Sequence, residues 1–261
     1  MSKSIVLFDM DGTLTKPRES IQESMIVAIA KLLESSEVGI VTGSDSDYVF
    51  QQCKILFENK YIDKTKLHLY PCNGTKVFKW SIESGSYEAV YSTSMIEELG
   101  QDAYNTILSS CLKYQACIST VHPLPYTGTF LHYRGSMLNW CPIGRSANLE
   151  QRSVWIKEDK HHKLREYFYR LLVSDIDVAD IQATVALGGS TSFDIYPDGW
   201  DKTYVTKHLD SYGITFVGDK CTGTGNDKTL YDLLQPTDSY ETKSPEMTIN
   251  LINSIIEKSM T

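Results

Sequence analysis

The chain has 261 residues, 41% of them hydrophobic, and carries 33 acidic against 25 basic side chains, a formal net charge of −8 at neutral pH. That field argues against nucleic acid or an anionic membrane as the main partner, and no apolar run reaches the roughly 20 residues that span a bilayer. The opening "MSKS" runs straight into strand-like sequence with no signal-peptide pattern, so a cytoplasmic protein of one large or two modest domains is expected.

The first element is "IVLFDMDGTLT", Ile5 to Thr15. An apolar run ending in acidic and glycine residues reads as a buried parallel strand opening into a loop, where α/β sheets hold their ligands. Asp9 and Asp11 are two apart on extended chain, so both carboxylates can face one reaction centre, and Gly12 permits a sharp turn beside them. Arg18 follows in the same loop. "SIQESMIVAIAKLLESS" then predicts an amphipathic helix, capped by Ser20 with Glu23 and burying Ile21, Met25, Ile29 and Leu32. "EVGIVTGSD" predicts a second strand ending at Thr42 and Ser44, followed by a helical stretch from Asp47 to Phe57. Strand, helix, strand implies a parallel sheet.

From residue 81 to 187 the regular alternation is lost. A long helical pattern covers "SMIEELGQDAYNTILSSCLKY", strand-like sequence covers "GTFLHYRGSMLNWCPI", a charged helix covers "EDKHHKLREYFYRLLVSD", and "IQATVALG" follows. This predicts an α+β unit, 81–187, inserted into a Rossmann-like α/β core made of 1–80 and 188–261. Ser192 and Asp194 alternate with Phe193 and Ile195, which on a strand gives one polar and one apolar face. The parallel pattern returns in "ITFVGDK"; 235–245 reads as loop and "PEMTINLINSIIEKS" as a closing helix.

"FVGDKCTGTGND" repeats the opening theme, an apolar run ending in Asp219 with Asp227 eight residues on. Clustered carboxylates repel one another unless a cation sits among them, and hard oxygen ligands suit Mg²⁺. The cysteines, Cys53, Cys72, Cys111, Cys117, Cys141 and Cys221, form no C-x-x-C pair, so reduced thiols are expected. The histidines show no metal-binding helical spacing, and His161 and His162 in "KHHK" are read as a solvated helix face.

"DMDGT", the "TGSD" loop, Lys202 in "DGWDK" and "GDKCTGTGND" together resemble the four motifs of the haloacid dehalogenase superfamily of phosphoryl-transfer enzymes. Within it, "MLNWCPIGRS" and "SFDIYPDGWDK" resemble the eukaryotic-type phosphomannomutases, in order along nearly the whole chain. The resemblance implies interconversion of mannose 6-phosphate and mannose 1-phosphate, with a hexose 1,6-bisphosphate as intermediate and activator, supplying GDP-mannose synthesis. It implies Asp9 as nucleophile, Asp11 as acid/base, Lys202 as the charge that offsets the phosphoryl group, and Thr42 or Ser44 as donors to it. Mg²⁺ would be held by Asp9, the backbone carbonyl of Asp11 and Asp219, with Asp227 either among these ligands or directly behind them. Arg18, Arg134, Arg145 and Arg152 would bind substrate, chiefly the phosphate not being transferred, because forked guanidiniums suit bidentate phosphate binding. Ser192 and Asp194 would contact the sugar. A homodimer through the inserted unit is also implied. Departures from the family's strings fall at Cys72, at Thr127 with Gly128, and at Ser190. A sugar-phosphate phosphatase would share the aspartyl phosphate and differ in the acceptor, while a catalytically idle binding homologue would have no need of Asp9, Asp11, Lys202 and Asp219.

Overall fold

The computed structural model describes residues 3–259. Its first strand, β1 (Lys3–Phe8), has Ile5, Leu7 and Phe8 with no exposed surface. Helix α1 (Glu23–Leu32) buries Met25, Ile29 and Leu32, and Ile21 just before it, as the periodicity predicts. The predicted capping box does not form. Ile21 donates its backbone N–H to the Gln52 carbonyl, which holds residues 20–22 out of the helix and leaves Gln22 as a cap with no side-chain bond. β2 (Glu37–Val41) follows, and the stretch predicted as one helix from Asp47 to Phe57 divides at Cys53 into α2 (Ser46–Gln52) and α3 (Lys54–Glu58). β3 (Leu67–Tyr70) completes the parallel run, and β4 (Lys76–Ser81) with β5 (Ser86–Ser92) adds an antiparallel hairpin.

The chain then enters a second compact unit, Thr93–Trp200. Here α4 (Met95–Leu99) and α5 (Gln101–Val121) are separated by Gly100 at φ 85°, where the sequence suggested one helix. β6 (Leu131–Tyr133), β7 (Leu138–Trp140), α6 (Leu149–His162), α7 (Leu164–Val178), β8 (Ala183–Gly188) and β9 (Ser192–Pro197) complete it. The single charged helix expected across "EDKHHKLREYFYRLLVSD" is broken at Lys163, which adopts a left-handed conformation (φ 53°, ψ 43°). The four strands form one antiparallel sheet in the order β6-β7-β9-β8. Its core gathers Trp140, Trp155, Phe168, Leu172, Phe193 and Ile195. Trp140 stacks on Phe193 at 4.7 Å between ring centroids and donates its indole N–H to Gln115, so its one polar group is satisfied inside the core.

Returning to the first unit, the chain runs through a 3₁₀ segment, Lys202–His208, then β10 (Tyr212–Gly218), α8 (Lys228–Leu233), β11 (Ser239–Glu241) and α9 (Pro245–Ser259). The closing helix has the extent read from the sequence, whereas the supposed loop 235–245 contains the edge strand β11. Seven strands make the sheet, in the order β11-β10-β1-β2-β3-β4-β5, parallel from β11 to β3. Alternate residues of β1 serve opposite faces: Val6 and Phe8 pack with Met25, Ile29 and Ile252, and Ile5 and Leu7 with Val205, Phe216 and Leu230. Each such fully buried side chain contributes about 1.5–3 kcal/mol of transfer free energy.

The junctions therefore fall at 92/93 and 200/201 rather than at the expected 80/81 and 187/188. The physical reason is strand pairing: β5 is the second arm of a hairpin on the core sheet, and β9 lies between β7 and β8 in the other sheet. Ser192 and Asp194 consequently belong to the inserted unit. Among the described residues, no helix is long and apolar enough to cross a membrane.

Candidate active site

Strand register assembles the acidic residues. β1 lies between β10 and β2, with Phe8 paired to both Val217 and Ile40. The next residue, Asp9, donates its N–H to the Val217 carbonyl at 2.9 Å, so Asp9 leaves the sheet where Asp219 leaves β10 and Thr42 leaves β2. This is the carboxyl edge of a parallel sheet, where the order of strands reverses around β1.

The carboxylates of Asp9, Asp219 and Asp227 have oxygens within 4.8 Å of one another. Lys202, the first residue of its 3₁₀ segment, places its ammonium among them. Nζ donates to Asp9 Oδ1 at 2.5 Å and also to Asp227 Oδ1. Asp227 Oδ2 accepts from the backbone N–H groups of Asp219 (2.9 Å) and Lys220 (3.0 Å). Gly218 makes this approach possible, since a Cβ there would lie 2.6 Å from Asp227 Oδ2. Gly12, at φ 93°, does the same for the opening loop: a Cβ would meet Asp219 Oδ2 at 2.2 Å.

The electrostatics follow from burial. Burial pushes Asp9 up to about 7; Lys202 pulls it down, and the charge of Asp227 raises it further. Asp219 is also raised, first by burial. For Asp227 burial opposes ionisation, but Lys202 and the two backbone donors win and hold it below the usual carboxylate range. Burial likewise disfavours the Lys202 charge, and Asp227 and Asp9 outweigh it, keeping the ammonium protonated.

When all three are ionised, the carboxylates outnumber the ammoniums beside them, buried Lys202 and exposed Lys220, whose Nζ lies 3.8 Å from Asp219 Oδ2. Asp219 Oδ1 is buried with no hydrogen-bond partner, an arrangement costly in the absence of a cation. An all-oxygen donor set with that charge fits a hard divalent ion such as Mg²⁺.

Asp11 sits differently. Its carboxylate is outside the Asp9, Asp219, Asp227 group, and its Oδ1 accepts from the Tyr48 hydroxyl (3.0 Å) and from the backbone N–H of Arg18 (3.2 Å). These contacts fix the rotamer of a half-buried acid beside the cluster. Sequence reasoning missed Tyr48, which lies 37 positions away on α2 and carries no motif. Arg18 itself is exposed, at φ 66°. Thr42 is buried and its Oγ1 accepts the Ser44 N–H at 3.1 Å, which folds the "TGSD" loop over the end of β2. Asp45 in that loop is held below its ordinary pKa despite partial burial by Lys76 (2.8 Å) and the Ser46 N–H. Cys72, one of the departures, is buried at φ 51° with its sulfur 3.9 Å from Asp45 Oδ1.

The inserted unit carries its own polar cluster. On β9, Phe193 and Ile195 are fully buried while Ser192 and Asp194 keep part of their surface. Asp194 Oδ1 accepts from Asn139 Nδ2 at 2.6 Å, and Asn139 Oδ1 accepts from Arg145 Nη1 at 3.1 Å. Arg152 donates Nη1 to Thr191 Oγ1 (3.0 Å), Nε to the Ala147 carbonyl (3.0 Å) and Nη2 to the Arg145 carbonyl (3.1 Å). Arg145 remains open to solvent, yet surrounding protein atoms and then the charge of Arg134 pull its pKa below the ordinary value. Arg134, Arg145 and Arg152 thus crowd like charges, a field suited to an anion. Asn139 and Thr191, which hold the arginines in place, were not singled out; the first lies inside "MLNWCP" and the second beside Ser192.

The profile of the eukaryotic phosphomannomutase family matches residues 25–258. Phosphomannomutase of Saccharomyces cerevisiae is 33% identical over 258 residues, covering 97% of this chain and 94% of the yeast protein. That of Drosophila melanogaster is 33% identical over 261 residues, covering 97% and 95%. Among solved structures, an IMP-bound, N-terminally truncated IMP-nucleotidase of Plasmodium falciparum superposes with a TM-score of 0.65 at 15% identity, over 98% of this chain and 68% of that one. Trehalose-6-phosphate phosphatase of Aspergillus fumigatus gives 0.54 at 14% identity, over 98% and 93%. The two structures establish likeness of fold. The curated relatives, matched over nearly their full length, and the family profile establish more: the chain belongs to the eukaryotic phosphomannomutase family.

Proposed function

We propose that this family member interconverts D-mannose 6-phosphate and D-mannose 1-phosphate by two phosphoryl transfers through an aspartyl phosphate. The observation that carries the reading is the pairing of Asp9 with buried Lys202. One oxygen of Asp9 is engaged by the ammonium, which leaves the other to attack phosphorus. Attack forms the Asp9–phosphate bond and breaks the bond to the leaving oxygen. Asp11, steadied by Tyr48, exchanges a proton with the sugar hydroxyl at each transfer. A hexose 1,6-bisphosphate first gives one phosphoryl group to Asp9; mannose 1-phosphate takes that group at O6, and the bisphosphate so formed turns and returns its O1 phosphoryl group to Asp9, leaving mannose 6-phosphate, so a bisphosphate acts as activator and intermediate. Lys202 offsets the negative charge of the transferring group, and Thr42 and Ser44 supply hydrogen bonds to it.

Mg²⁺ would be held by Asp9, Asp219, the backbone carbonyl of Asp11 and Asp227, and would supply positive charge to the phosphoryl oxygens. Arg134, Arg145 and Arg152, with Arg18, suit the phosphate that is not being transferred, and Ser192 and Asp194 suit sugar hydroxyls. A cytoplasmic homodimer joined through the inserted unit, feeding GDP-mannose synthesis, completes the reading.

The test is a coupled assay that follows mannose 6-phosphate formed from mannose 1-phosphate, with and without a hexose 1,6-bisphosphate, beside a measurement of inorganic phosphate. The expected result is bisphosphate-stimulated isomerisation that exceeds phosphate release. Phosphate release with no isomerisation would make the enzyme a phosphatase and refute the proposal.

A further inference from the structure

Helix α5 ends against α6 with a constellation that phosphoryl transfer does not use. His122 is the residue just past α5, its own N–H bonded to the Ile118 carbonyl. Glu158 and His162 lie one turn apart on α6, with Glu158 Oε2 and His162 Nε2 3.4 Å apart. The His122 and His162 rings approach to 5.3 Å between centroids. One nitrogen from each ring and one Glu158 oxygen all fall within 4.8 Å of one another. We infer that His122, Glu158 and His162 form a surface site for one divalent cation of borderline softness, of the Zn²⁺ type.

The geometry and the donor chemistry agree. Around a tetrahedral ion with bonds of about 2.0–2.1 Å, neighbouring donors stand roughly 3.3–3.4 Å apart. The Glu158–His162 pair already has that separation, and His122, with a ring nitrogen within 4.8 Å of both partners, reaches it with a movement of at most about 1.5 Å, within the freedom of a partly exposed ring at a helix end. Two imidazoles and one carboxylate leave a fourth position for water. Mg²⁺ prefers an all-oxygen octahedral shell, so this donor set discriminates against the ion that suits Asp9, Asp219 and Asp227, whereas imidazole nitrogen favours zinc and its neighbours. An ordinary i,i+4 ion pair between Glu158 and His162 would account for those two residues but not for the third donor, His122, which caps the end of α5, 36 positions before Glu158. A bound ion would tie the end of α5 to α6, and because the unfolded chain lacks the arrangement, binding stabilises the fold by mass action.

The experiment uses the full chain, stripped of metal by chelation and returned to buffer containing several millimolar Mg²⁺. Zn²⁺ is titrated calorimetrically into wild type and into H122Q, E158Q, H162Q and, as a neighbour, H161Q. One saturable equivalent is expected in wild type, weakened at least tenfold in the first three variants and changed less than twofold in H161Q. Zinc should also raise the urea midpoint of wild type and leave that of the H122Q/H162Q double variant unmoved, with far-ultraviolet circular dichroism showing that each variant is folded. Absence of saturable binding overturns the inference, as does equal affinity in wild type and the double variant. So does a loss in H161Q as large as that in H162Q.

Discussion

Replacing Lys202 by methionine removes the ammonium that Asp9 and Asp227 share while keeping most of the side-chain volume. The lysine side chain has no exposed surface, and neither does that of Asp227, so water cannot take its place without opening the fold. Removing one partner of a buried ion pair typically destabilises by about 3–5 kcal/mol, because the remaining charge stays desolvated. At roughly 2–4 °C per kcal/mol for a chain of this size, the transition should fall by about 6–20 °C. The measurement is thermal unfolding by circular dichroism in the presence of a chelator, so that no added cation replaces the ammonium, paired with the coupled mutase assay in Mg²⁺. Turnover should be lost as well. A midpoint within about 2 °C of wild type would show that the two carboxylates do not depend on Lys202, and the electrostatic account of the centre would have to be abandoned.

Asp9→Asn should abolish isomerisation and phosphate release together, since an amide is not a competent nucleophile, whereas Asp11→Asn should cost the proton transfer, about 10²–10⁴-fold in kcat; substantial turnover in the first, or a loss well under tenfold in the second, would reverse the roles. Removing divalent cations with a chelator should abolish isomerisation and restoring Mg²⁺ should recover it; full activity after exhaustive chelation would exclude a metal role for the aspartate cluster. Arg145→Ala should raise the KM for mannose 1-phosphate while leaving hydrolysis of a small aryl phosphate nearly unchanged, and an equal loss of kcat/KM on both would remove this arginine from distal phosphate binding. Burial holds His68 and His208 below the ordinary imidazole pKa although Nε2 of each ring bonds an oxygen, Glu37 Oε2 at 2.6 Å and the Gly74 carbonyl at 2.7 Å. At these two rings the unfolded chain takes up protons first as pH falls through about 6.5, so their contribution to stability rises with pH between about 5 and 7, opposite in sign to that of Asp9, which burial keeps protonated in the fold up to about 7. The urea midpoint at pH 5.5 and 7.5 checks this: the change from the lower to the higher pH should be less positive in the H68Q/H208Q variant than in wild type.

Asp9 and Asp219 were readable because two features coincide in the linear chain: an apolar run closing a strand and an acidic residue at or next to its end. Parallel neighbours that begin in register end in register, so Asp9 and Asp219 had to meet if β1 and β10 paired. Lys202 was readable only through its family string, since a lysine in "DGWDK" has nothing else to show that it will be buried. What stayed hidden depends on tertiary contact. Ser20 has the residue type and spacing of a cap, yet the bond from Ile21 to Gln52 outweighs it. Lys163 breaks a helix in a left-handed conformation that no glycine or asparagine announces. Tyr48 and His122 each act on partners more than 30 positions away. The hairpin of β4 and β5 moved the unit boundary because strand pairing, and not local pattern, decides to which sheet an arm belongs.

The pairing of β1 with β10 also sets a timetable for synthesis. Phe8 meets Val217, roughly 200 residues later, and at about 5–20 residues per second the ribosome needs on the order of 10–40 s to deliver the partner. Throughout that interval one edge of β1 has no mate, and Ile5, Leu7 and Phe8 lack part of the layer that later covers them. The intervening Thr93–Trp200 segment, by contrast, holds all its own strands and a complete apolar interior, so it can settle while the rest waits. The nascent chain is thus most vulnerable to edge-to-edge association before residue 217 emerges.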